Sequence, residues 1–223
     1  MKTRLRTIGL AILLASLALG AARNPVRIDK RPLVQETRHF KPADPPPQMP
    51  RLTPPETAVA ESKFEACVST NTVIAQSRTT GQTTRVTVRL TSLEVQITLK
   101  VILWLPEKAP RKTVVHEEGH ARISDHFYQS AHEVAAAAVR PFIGRTFSGE
   151  GPDIQAAGRA ATQAAARQIS DACLLAIRQP MEQVQQTYDD LTDHGRNSLD
   201  EDEAIRRALA RHEKKAPATS QVR

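Results

Sequence analysis

Val86-Thr87-Val88-Arg89-Leu90 and, a little further on, Leu93-Glu94-Val95-Gln96-Ile97-Thr98-Leu99-Lys100-Val101 alternate apolar and polar side chains and run on into Leu103. Successive side chains of a strand point to opposite faces, so a period of two over this length describes strands with one buried and one wet face. Thr80-Gly81-Gln82 supplies a turn before the run. An antiparallel sheet is the simplest way to pair such strands.

After Leu105-Pro106 the apolar period becomes helical. Pro110 is tolerated in a first helical turn, and a helix is expected from about Arg111 to Arg140, ending at Pro141. Gly144, Gly149, Gly151 and Pro152 read as a loop. A long alanine- and glutamine-rich helix is expected from Asp153 to Asp190 with a kink at Pro180, and a charged helix from Leu199 to Arg211. Strands first and helices afterwards give an α+β fold, an N-terminal antiparallel sheet packed on long helices.

Upstream of the strands the chain changes character twice. Lys2, Arg4 and Arg6 precede an apolar run from Ile8 to Leu19 and the small residues Gly20, Ala21 and Ala22, which reads as a signal peptide over residues 1–22. The run is too short for a stable membrane span, so the mature protein is expected in the periplasm or outside the cell. Residues 23–61 hold Pro25, Pro32, Pro42, Pro45, Pro46, Pro47, Pro50, Pro54 and Pro55, and this composition predicts a disordered proline-rich spacer. The folded domain is expected over residues 62–213, with a disordered tail over 214–223.

The formal charge of +7 falls to +4 once Lys2, Arg4 and Arg6 are removed. A basic excess of that size is a solubility property and does not point to nucleic acid. Export also changes the meaning of the two cysteines. In an oxidising compartment Cys67 and Cys173 are expected to form a disulfide, worth up to roughly 4 to 5 kcal/mol for so long a loop on the chain-entropy model.

The chemistry is concentrated in His116-Glu117-Glu118-Gly119-His120. Residues four apart on a helix share a face, so both imidazoles can aim at one Zn2+ while Glu117 stands beside it as general base. A catalytic zinc takes three protein ligands, so one is missing. His126 has the spacing of a third histidine, but the turn-forming glycine that would swing it back is replaced by Ile123. On an unbroken helix His126 and Glu133 fall off the stripe that carries His116 and His120, and His132 points nearly opposite.

A second polar cluster, Tyr188-Asp189-Asp190-Leu191-Thr192-Asp193-His194-Gly195, ends the second long helix. Taken alone it is also what a polar helix terminus closed by Gly195 looks like. Antiparallel packing of the two helices would bring it beside His116 and His120.

With both motifs in this order, the chain resembles a family of bacterial secreted zinc-dependent proteases, known mainly as a domain of unknown function, that carries H-E-x-x-H followed by Y-D-x-x-T-x-H-G. The likeness covers roughly Cys67 to Arg207. It implies a zincin-like domain in which His116, His120 and His194 bind Zn2+, Glu117 is the base, Asp189 orients a ligand from behind, and Tyr188 donates to the oxyanion.

The expected function is an exported zinc metallohydrolase, a peptidase acting on peptide or protein substrates of the cell envelope, with a strand edge near Glu94 to Trp104 holding the substrate by strand addition. Two other functions fit the same residues: a non-catalytic envelope adaptor on this scaffold, and a hydrolase of a peptidoglycan amide.

Overall fold

A computed structural model describes residues 24–215. The signal-peptide reading and most of the tail reading therefore concern residues outside it. The frame is a long hairpin in which β3 (Val59–Thr80) pairs antiparallel with β4 (Thr83–Pro106) along almost its whole length. Leu90 and Leu93 both face inward although three positions separate them, because the register slips by one residue at Thr91. Beyond that slip the inward face passes from even to odd positions, and Val86 through Leu105 line one continuous core.

The other edge of β4 carries three short strands laid end to end. β1 (Val26–Lys30) pairs with Leu93–Ile97, β2 (Val34–Phe40) with Lys100–Pro106, and β5 (Thr146–Gly151) with Thr84–Arg89. β1 and β2 run parallel to β4, whereas β3 and β5 run antiparallel to it. The expectation of an antiparallel sheet is thus corrected to a mixed one. A hairpin by itself leaves one edge of β4 with unpaired N–H and C=O groups, and the segments that satisfy them approach from outside the hairpin.

The disordered spacer is corrected as well. Val26–Lys30 and Val34–Phe40 are proline-free runs within a proline-rich stretch, with Pro25 and Pro32 just outside them where no ladder hydrogen bond is lost. The remaining prolines build a turn-rich loop from Lys41 to Ala58, pinned by Met49 N–H to the Pro46 carbonyl at 3.0 Å and Glu56 N–H to the Thr53 carbonyl at 2.9 Å. That loop lies over the outer face of the sheet, where Phe40, Ile102 and Trp104 are buried with Met49 and Leu52 against them. The run Val101 to Leu105 is apolar at every position for this reason: here both faces are covered.

Helices cover the inner face. The single helix expected to reach Arg140 is divided: α1 (Arg111–Gln129) ends about three turns earlier, and α2 (Ala131–Val139) continues after a break at Ser130. The expected glycine loop contains β5 instead. Cβ atoms at Gly149 and Gly151 would come within 2.2 Å of the Ala161 nitrogen and 2.6 Å of the Ala157 nitrogen, so these glycines let a strand lie directly on a helix backbone. α3 (Ile154–Thr192) spans 39 residues, about 58 Å, and continues through Pro180. Its buried stripe, Ala157, Ala161, Ala165, Ile169, Cys173, Ile177 and onward, is small at one end and large at the other. α4 (Glu201–Lys215) closes the end near α1. None of the helices among the described residues is long and apolar enough to cross a membrane.

The expected disulfide is absent, and both Cys67 and Cys173 are free thiols. Phe64, Ala66 and Val68 pack inward on β3, which turns Cys67 to the outer face, while Cys173 is buried between α3 and the inner face. The sheet itself separates the two.

Candidate metal centre

Antiparallel packing of α1 on the last third of α3 assembles the site. Ser124 meets Gln185, and one turn earlier His116 and His120 meet Asp189. His116 Nε2 lies 3.2 Å from His120 Nε2, His120 Nε2 lies 2.9 Å from Asp189 Oδ1, and His116 Nε2 lies 3.3 Å from the same oxygen. Three donor atoms thus form a near-equilateral triangle. A tetrahedral zinc with bonds of about 2.0 to 2.1 Å has ligand-to-ligand edges of about 3.3 to 3.4 Å, so the triangle fits one face of such a shell. Among the described residues this is the one group of three metal-capable side chains.

Surrounding contacts fix the orientation of each donor. The Gln185 carboxamide oxygen accepts from His120 Nδ1, which turns the Nε2 lone pair toward the triangle. Gln185 Nε2 in turn donates to the His120 carbonyl and to Ser124 Oγ, both at 3.0 Å, so the amide cannot flip without losing two bonds. His116 stacks on Tyr188, with ring centroids 4.9 Å apart and planes 11° from parallel. Its Nδ1 is buried without a hydrogen-bond partner, and the nearest carboxylate, Glu201 Oε2, stands 3.9 Å away. Burial alone would raise the Asp189 pKa, but hydrogen bonds to His116 and His120 outweigh it and hold the carboxyl well below the usual range. Burial also pulls the His120 pKa down, and Asp189 more than reverses this, leaving it raised.

Glu117 is 5% exposed and lines the cavity beside the triangle without joining it. Burial pushes its pKa up, against the pull of His120 and His116 and of the Ala60 N–H that donates to it. The cavity has a volume of about 440 Å3 and is bounded by the start of β3, by α1 and by the end of α3.

Two residues stand elsewhere than expected. Asp189, expected behind the ligands, faces the metal position together with His116 and His120. His194, expected as the third ligand, lines the same cavity but stands farther from the triangle, its Nδ1 3.9 Å from Asp189 Oδ1 and 3.9 Å from Glu56 Oε1. The backbone explains the shift. Asp193 and His194 both take φ of 51° and Gly195 takes 73°, so the chain leaves α3 through three left-handed residues and folds Gly195 onto His116, where a Cβ would come 2.8 Å from Cγ.

Tyr188, expected to donate to an oxyanion, has its hydroxyl engaged inside the fold. It is fully buried, and its single hydroxyl proton has two acceptors within reach, Glu201 Oε2 and, at 3.2 Å, the His116 carbonyl. Burial, reinforced by Glu201, keeps that hydroxyl protonated. His126 and His132 are exposed on the far faces of α1 and α2. Sequence reasoning missed Gln185, Glu201 and Glu56. Gln185 had a signal, since it lies one helical turn before Asp189 on the same face; Glu201 and Glu56 reach the site only through the tertiary fold.

The chain matches no family model, and no curated protein or solved structure is similar to it. The geometry of the site therefore carries the functional argument.

Proposed function

We propose that the protein is a zinc-dependent hydrolase, zincin-like in its site, that cleaves peptide bonds, with His116, His120 and Asp189 as the protein ligands and Glu117 as general base. The observation that carries this reading is the triangle of three donor atoms beside a buried glutamate that is not one of them. Two imidazoles and one carboxylate form a donor set of catalytic zinc sites, which keep a further position open. A structural site would close with four. When bound, the cation would acidify water and polarise a substrate carbonyl.

The chain's own residues account for the remaining steps. Glu117, with its pKa raised by burial, is placed to take a proton from water and to return it to the leaving amine. Gln185 and Asp189 keep His120 in one orientation, and the Tyr188 stack does so for His116. The expected substrate edge near Glu94 to Trp104 is excluded, because β4 is paired on both sides there. The free edge is that of β3. Ala58, Val59, Ala60 and Ser62 border the cavity, which favours an extended peptide lying along β3 over a non-peptide amide. Export to the periplasm or beyond remains part of the proposal and rests on residues 1–22.

Glu117→Gln tests the mechanism: the zinc-loaded variant should bind one zinc per chain by elemental analysis and lose at least about 100-fold in kcat on a cleavable peptide. Activity equal to the parent would remove Glu117 as the base. A non-catalytic adaptor would show no turnover in either protein.

A further inference from the structure

A second hollow lies next to the cavity of the metal centre and shares two residues with it, Glu56 and Thr57. Its volume is about 660 Å3 and its walls come from the loop between β2 and β3. Most of that wall is apolar. Phe40, Met49 and Leu52 form one side, and prolines including Pro46, Pro50 and Pro106 form much of the rest. Proline has no N–H and a fixed φ, so a wall of pyrrolidine rings presents carbon instead of donors and is already rigid before anything binds.

Its position relative to β3 selects the occupant. The free edge of β3 begins at Val59, and a chain extended along that edge past the start of the strand runs over Thr57 and Glu56, the rim common to both hollows. Side chains of an extended peptide alternate in direction, so one near this rim can point into the hollow while the backbone stays on the edge. We infer that the proline-walled hollow is a specificity subsite that receives a bulky apolar side chain of the peptide substrate, at a fixed distance from the bond that is cut. This rests on the peptidase reading and adds a substrate class to it: peptides with a large aliphatic or aromatic residue at that one position. The loop that reads as a spacer from its composition is then a wall of the substrate site.

The test is cleavage profiling of a mixed peptide library by the zinc-loaded full chain, repeated with Met49→Trp, which fills the hollow, and Met49→Ala, which enlarges it. Wild type should favour Leu, Met or Phe over Ala at a single position. In Met49→Trp the kcat/KM ratio for the bulky over the alanine peptide should fall by about ten-fold or more. In Met49→Ala the preference should move toward larger side chains. A wild-type preference that neither substitution moves, with native near-ultraviolet circular dichroism retained, overturns the subsite and leaves the peptidase reading intact. Failure of the zinc-loaded wild type to cut any library member overturns both.

Discussion

At Asp189 a single oxygen lies 2.9 Å from the Nε2 of His120 and 3.3 Å from that of His116, whereas His194 Nδ1 stands 3.9 Å from the same oxygen. The two residues therefore differ in what their loss does. Asp189→Ala should weaken zinc binding by more than the roughly 10- to 100-fold typical of losing a supporting partner. His194→Ala should keep one zinc per chain. Competition titration with a chromogenic chelator separates the two, and zinc loss in His194→Ala with retention in Asp189→Ala would return the ligand role to His194. His116, Glu117 and His120 were legible from spacing, because four residues on a helix make one turn. The nearness of Asp189 rather than His194 to the two histidines was not, since it depends on the left-handed exit from α3 at Asp193 and His194, residue types that take such dihedrals more readily than most but still uncommonly.

Close approach of α1 and α3 is set by one glycine in the motif helix. A Cβ at Gly119 would fall 2.1 Å from the Tyr188 hydroxyl oxygen and 2.6 Å from Cζ of the same rigid, buried ring. Gly119→Ala gains about 1 kcal/mol of helix propensity but forces the helices apart, and overpacking of this kind costs about 1 to 3 kcal/mol and at times more. Urea denaturation should show a net loss of stability, accompanied by weaker zinc binding because His116 stacks on the same ring. Equal or greater stability would mean that Tyr188 yields at little cost. Helix identity was readable from period and composition, including the 39-residue α3. The break at Ser130 and the strand β5 were not. Glycines at 149 and 151 look like loop residues in sequence, and only the helix backbone 2.2 and 2.6 Å from where their Cβ atoms would be shows why a strand needs them.

Over the whole molecule, β4 is the common partner of every other strand, and its second edge depends on residues far upstream. Removing residues 24–41 would strip the ladder from Leu93–Ile97 and Lys100–Pro106 and uncover Ile102 and Trp104. An open apolar edge of that length is a template for intermolecular pairing. The truncated protein should aggregate by light scattering and lose cooperative thermal unfolding; a soluble monomer with the parent's Tm would show that β1 and β2 are dispensable. The amino-acid sequence by itself determined what local period and spacing can encode: an α+β chain, a long β4, the major helices, and two histidines with a glutamate on one helical turn. Tertiary structure alone decided the sheet's mixed direction, the separation of Cys67 from Cys173 on opposite faces, the grouping of Asp189 rather than His194 with His116 and His120, and the placement of a proline-rich loop beside the cavity. Each of these depends on which surfaces meet across tens of residues, and unpaired strand edges and buried carboxylates find partners wherever packing brings them.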